Sequence, residues 1–305
     1  MRPGDFYLAG WRVRSELCLT GLLPWIEEDR PVDLLICRGP VPKYPDCLAM
    51  RGPLLGVTSD RSTWFTAPTA RFFVSSEGTE VTVETGNRDD QAVQPFLLGS
   101  IFAILCYKRG LLPLHASCVE IGGRAVAFAG ASGAGKSVFA AAFMKAGFSV
   151  ISDDISAIDT GAPGGPTVRA SSPELRLWRD ALEALHLTKD RHQQTRAVLE
   201  KFDLACGQLS TIPPRRLAAV YCLRRANKGD SGSIKRISGV GALRHTADSV
   251  YHSEALGTHL GATAGFRQVT TLCSAVPVYS LSYQPGFDEL PATVATFLAR
   301  HTEQL

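Results

Sequence analysis

The eight cysteines (Cys18, Cys37, Cys47, Cys106, Cys118, Cys206, Cys222 and Cys273) include no CxxC pair, and none stands at zinc spacing from a histidine. That argues against a structural zinc site and against a disulfide framework, and fits free thiols in a reducing compartment. Basic charge is equally scarce. A net charge of +3, with no long basic run, is too weak and dispersed for a nucleic-acid or membrane-surface footprint, so neither partner is expected. The most apolar run, Phe96 to Cys106, is too short to span a bilayer, and the opening MRPGDFYLAG lacks the apolar core of a signal peptide. A cytoplasmic location is the expectation. There is no internal repeat and no low-complexity tract.

What is present is an ordinary globular composition, 45% hydrophobic and 20% charged over 305 residues, enough for one large domain or two modest ones. Before Gln91 the short alternating runs WRVRSELCL, ARFFVSS and TEVTVETG are divided by Gly, Pro and Asp, a pattern that predicts a small β-rich domain, antiparallel, over residues 1–91. From residue 92 the pattern changes. FLLGSIFAILCYKRG reads as a buried helix whose last turn carries Lys108 and Arg109 before Gly110, favourable for its dipole and its stop. HASCVEI and RAVAFAG follow, two apolar runs joined by Gly122-Gly123, a dipeptide suited to a hairpin turn. Strands are expected at FSVIS, LAAVYCL, SIKRI and PVYSLSY, helices at Pro173 to His186 and Phe287 to His301, and loops at GAPGGP and NKGDSGS. This alternation makes residues 92–305 an α/β domain.

Within it, Gly130-Ala131-Ser132-Gly133-Ala134-Gly135-Lys136-Ser137 satisfies GxxxxGK[ST], with an apolar strand ahead of it and a helix behind. Small residues let backbone N–H groups turn inward around phosphate oxygens, Lys136 reaches the outer phosphates, and the Ser137 hydroxyl can ligate Mg²⁺. The helix N-terminus adds partial positive charge. The next strand delivers Asp153-Asp154 at its C-terminal end, the ligand edge of an open α/β sheet. Two adjacent acids suit a division of labour: one holds the metal, the other accepts a proton from an attacking hydroxyl. The residues leave open which does which, and whether one merely caps a turn.

The order of these segments, a histidine, a glycine hairpin, the loop strand, then paired acids, resembles the catalytic domain of HPr kinase/phosphorylase, a serine kinase related in fold to phosphoenolpyruvate carboxykinase. The resemblance is strong over Leu111 to about Asp159 and only outlined beyond it. It implies an HPr-kinase-like P-loop catalytic domain with a mixed sheet, using ATP and Mg²⁺. It further implies that Asp153 is the catalytic base with His115 as its partner, that Lys136 is catalytic, that the loop through Val138 binds nucleotide, and that Ser137 and Asp154 serve the metal. Val138 departs from the acidic or Thr residue usual after the loop serine. The glycine-rich segment tied to the reverse reaction is replaced by SSPELRLWRDALEAL, so phosphorolysis is not expected.

That replacement and the RGLLPLHAS lead-in look more like the smaller relatives that accompany peptide-modification systems, including the kinases of lasso-peptide precursors. The expectation is therefore a phosphotransferase acting on a serine of a peptide or small protein. Homo-oligomers are expected by the same analogy. A nucleotide-responsive regulator without transfer, or a small-metabolite kinase, are the alternatives, since fold alone does not choose. Phosphoryl transfer calls for a cation besides Lys136. Arg176, Lys201 and Arg236 are candidates, with Trp178 as a packing surface, though for each alone solvation or core packing is the plainer reading. Arg215, Arg216, Arg224 and Arg225 read as a solvated strand-end collar, and His245, His252 and His259 as incidental.

Overall fold

The computed structural model describes residues 4–27, 29–45, 50–51, 54–86, 90–171, 174–185, 193–196, 199–205, 213–226, 232–251, 265–284 and 286–301. The chain forms two compact units, Met1–Leu111 with 252–265, and Leu112–Tyr251 with 266–305.

The first unit is built on a nine-stranded sheet. It is mixed rather than antiparallel: Leu34–Arg38 runs parallel to both Trp11–Ser15 and Glu80–Glu84, while the remaining pairs are antiparallel. Buried Trp11, Val13, Val81 and Val83 alternate with more exposed neighbours, as period-two patterning requires. The apolar helix belongs here too. Asp90–Phe96 and Phe102–Lys108 are α-helical, joined by a π-helical turn over Leu97–Ile101 where Gly99 departs from helical angles. The kinked 19-residue helical stretch is thus longer than the run read from sequence, and apolar and long enough to cross a membrane by composition; most of it is buried, as in a core helix. The unit therefore extends through Leu111, past the expected division at residue 91.

Lys108 ends this helix with its ammonium donating to the carbonyls of Arg61 and Ser76. Burial, reinforced by Arg61, pushes its pKa down to about 8. Between that value and the ordinary lysine range, the unfolded chain binds the proton and the folded chain does not. Stability from this residue is therefore complete above the unfolded pKa and is lost as pH falls through about 8. Urea midpoints should rise from pH 8 toward pH 10 more steeply in the wild type than in Lys108→Met.

The second unit carries a mixed sheet. Ala116–Ile121 and Arg124–Ala129 form the expected hairpin, with Gly122 and Gly123 at φ 57° and 78°, the pair of positive angles that a two-residue hairpin turn needs. Arg124–Ala129 runs parallel to Arg215–Arg225, which runs parallel to Val278–Tyr283, and Ser233–Ile237 closes that side. Val150–Ser152 pairs on the far side of the hairpin. The strand Arg124–Ala129 thus lies inside the sheet, and its C-terminal end opens beside those of its parallel neighbours.

Two expectations shift. Within Pro173 to His186 the described residues form a strand, Glu174–Trp178, then a short helix, Arg179–Ala184, because Leu175 and Leu177 are buried at strand spacing. The strand pairs with Leu199–Ala205 in a separate three-stranded sheet. The C-terminal helix spans Leu290–His301, starting later than expected. GAPGGP is a turn, as read; residues 227–231 of NKGDSGS lie outside the described residues, as do Cys47, Cys206, His252 and His259.

One aromatic cluster supports the sheet end. Phe128 packs against Phe143 at 5.2 Å between ring centroids and against Phe139, Tyr221 and Phe297 at 5.5–6.0 Å. These rings come from two strands, the helix Lys136–Lys145 and the C-terminal helix, so a single side chain joins four elements. Phe128→Ala should cost about 3–5 kcal/mol in urea unfolding.

Candidate functional site

The segment Gly130–Gly135 turns from the sheet interior into the helix Lys136–Lys145. Lys136 is buried, its ammonium donating to the carbonyls of Gly130 at 2.9 Å and Ala131 at 3.0 Å. Its charge is therefore fixed across the mouth of the loop. Gly135, at φ 93°, occupies a conformation L side chains rarely adopt, and a Cβ there would overlap the Tyr283 hydroxyl.

The paired acids sit where expected, at the end of Val150–Ser152, but face different partners. The Asp153 carboxylate, almost buried, accepts at one oxygen from Ser137 Oγ at 3.0 Å and from Ser117 Oγ at 2.5 Å. Asp154 adopts φ 65° within a three-residue turn closed by Ile155 N donating to Asp153 O at 2.8 Å. The left-handed residue directs its carboxylate elsewhere. Asp154 Oδ1 lies 3.4 Å from His115 Nε2, an ion-pair distance.

His115 is itself held from several directions. Its backbone N–H donates to Ser249 O at 2.7 Å, and the Tyr251 ring meets the imidazole edge-on at 5.8 Å. The imidazole, loop and acids do converge, but with partners exchanged. Ser137 is joined to Asp153 rather than Asp154, and His115 to Asp154 rather than Asp153. The expected pairing of His115 with Asp153 and of Ser137 with Asp154 is therefore not the one observed, because the turn at Asp154 places adjacent acids on opposite partners.

His115, Lys136, Ser137 and Asp154 open onto one cavity of about 390 Å³, with Ser132, Gly133, Gly135 and Val138 of the loop segment on its wall. Gly130, Ala131 and Ala134 act instead through their carbonyls, which accept bonds from Lys136 and Tyr283. Leu177, Ala181, Phe287 and Leu290 give the wall an apolar part, with Asp180 as a further acid beside them. Beneath the acids, Ser156 Oγ lies 2.7 Å from Ser152 Oγ and donates to Ala116 O, and Cys118 Sγ donates to Ser156 Oγ. Burial pushes the Cys118 thiol up to about 11, so it remains a protonated packing group rather than a nucleophile at neutral pH.

Other expected contacts resolve differently. The arginine collar is dispersed: Arg215 pairs with Glu120 at 3.1 Å, Arg216 donates to Pro163 O at 3.1 Å, and Arg225 alone turns to the loop, donating to Gly133 O at 2.9 Å. Arg236 and His245 are exposed and off the cavity wall. The side chains of Arg176, Trp178 and Lys201 lie outside the described residues. Ser117 and Tyr283 were not singled out by sequence; each ends up at the site through strand register alone.

No family model matches the chain, and no curated protein does. Among solved structures it is similar to the HPr(Ser) kinase/phosphatase from Coxiella burnetii, at 10% identity over 63% of this chain and 97% of that chain, with a TM-score of 0.33. A superposition that loose transfers no chemistry, and the site is judged on its own side chains.

Because Asp and Asn share tolerance of the left-handed region, Asp154→Asn should unfold within about 0.5 kcal/mol of wild type. Asp154→Val should lose about 1–2 kcal/mol in the same urea titration.

Proposed function

We propose that this chain is a phosphotransferase that moves the terminal phosphate of ATP to a serine hydroxyl of a peptide or small protein. The observation that carries this reading is a GxxxxGK[ST] segment whose Lys136 and Ser137 share one cavity with Asp154 and His115, with the nearly buried Asp153 joined to it through Ser137. A nucleotide switch needs one acid for its metal; a second acid beside a histidine suits proton removal from an acceptor.

Ser137 Oγ and the Asp153 carboxylate are hard oxygen donors 3.0 Å apart, a set that fits magnesium held jointly with phosphate oxygens and water. Magnesium bound there would neutralise charge developing on the phosphate oxygens. Ser137 donates its own proton to Asp153, which leaves the hydroxyl lone pairs directed outward as ligands. Ser117 donates to the same carboxylate oxygen and fixes its orientation. Loop N–H groups and Lys136 hold the phosphates in line. Asp154, oriented by His115, takes the proton as the acceptor oxygen bonds to phosphorus and the bond to the bridging oxygen of ADP breaks.

The acceptor class, like a lasso-peptide precursor with a C-terminal serine, rests on the sequence resemblance, as does homo-oligomeric assembly; the cytoplasmic location rests on the scattered cysteines, which fit a reducing compartment. Mass spectrometry of a serine-terminated peptide, an HPr-like protein and hydroxylated metabolites, each incubated with Mg-ATP, tests the reading. An 80 Da gain on the peptide, the mass of a phosphoryl group, is the expected result. ATP binding with no acceptor modified would favour a regulator instead.

The acids should separate in the same assay. Asp154→Asn should lower turnover by at least about 10²-fold with nucleotide affinity retained. Asp153→Asn should raise the magnesium concentration needed for tight nucleotide binding. Normal turnover in Asp154→Asn would reject that residue as the base.

A further inference from the structure

Arg225 and Tyr283 stand opposite each other at the ends of neighbouring parallel strands, so their side chains leave the sheet on the same side, next to the loop. Tyr283 donates its hydroxyl to Ala134 O at 2.8 Å, and its ring meets Phe139 at 4.7 Å, edge to face. Arg225 donates to Gly133 O at 2.9 Å, and its positive charge acts on the Tyr283 hydroxyl, opposing the burial that raises that group's pKa. Two consecutive loop carbonyls are thus held by two side chains from neighbouring strands, and Phe139, on the helix that the loop opens, packs against the tyrosine ring.

The fit is close. Gly135 lies against the tyrosine hydroxyl with no space for a side chain, so loop and latch are shaped to each other. Both residues line the cavity shared with Lys136 and Ser137. A guanidinium has five N–H donors in a planar fork, and the bond to the Gly133 carbonyl leaves donors for phosphate oxygens.

We propose that Arg225 is the second cation of the phosphate site, contacting the polyphosphate of the bound nucleotide, and that Tyr283 positions both Arg225 and the loop. This rests on the nucleotide reading above. It assigns the additional positive charge to a residue that the sequence places in a surface collar. The arginine owes its position to register: Arg224, one residue earlier on its strand and equally exposed, is off the cavity wall.

The test is calorimetric titration of the full chain with Mg-ATP and, separately, with inorganic tripolyphosphate, which has no base or sugar. Arg225→Ala should weaken both ligands by about 10-fold or more, the range for a hydrogen bond to a charged group. Arg225→Lys should recover part of the loss, since charge remains but the fork does not. Tyr283→Phe, which keeps the ring against Phe139, should weaken binding by a smaller factor and flatten its dependence on Arg225, so that the double variant binds as Arg225→Ala does. A purely structural arginine would alter melting temperature without selective loss of tripolyphosphate. Wild-type affinity for tripolyphosphate in Arg225→Ala would overturn the proposal while leaving the nucleotide reading intact. A wild-type chain that binds neither ligand would overturn both.

Discussion

One carboxylate oxygen ties the second unit's site together. Asp153 Oδ1 accepts from Ser117 and from Ser137, and in doing so joins the hairpin's first strand, the start of the helix after the loop and the end of the strand Val150–Ser152. Hydrogen bonds to an ionised acceptor are roughly twice as strong as neutral ones, and this acceptor is nearly buried. If it lost them, a desolvated charge would remain with fewer partners, which costs more than the bonds themselves contribute. The serine hydroxyl, the loop and the second acid all take their positions from that junction.

Supporting it is the aromatic cluster around Phe128, whose rings fill the space between the loop strand and the helices. Rigid packing below and polar groups above is the arrangement a phosphate site needs, because positioning rather than bond-making by the protein is its main contribution. The left-handed angle at Asp154 belongs to the same design. It is a local strain that separates two neighbouring carboxylates so that one serves the serine and the other the histidine.

Local features were legible in the sequence. The glycine pair gave its hairpin, the loop its strand-to-helix setting, and the paired acids their place at a strand end, because each depends on residues close in the chain. What depends on distant pairing was not. The parallel joins of Leu34–Arg38 in the first sheet cannot be seen in alternation alone. Leu175 and Leu177 do carry a period-two signal, but it is short and runs straight into a helical stretch, so the strand was absorbed into a predicted helix. The exchange of partners between Asp153 and Asp154 follows from one backbone angle, and the separation of Arg225 from its arginine neighbours follows from register with Val278–Tyr283. Neither leaves a trace in composition or spacing.

The division between the acids is the central claim, and a crystal structure with magnesium and a non-hydrolysable ATP analogue tests it most directly. The account predicts the metal about 2.0–2.1 Å from Ser137 Oγ, on the Asp153 side, with the terminal phosphorus facing Asp154 and His115. A metal coordinated by Asp154, or a nucleotide seated away from Lys136, would contradict it.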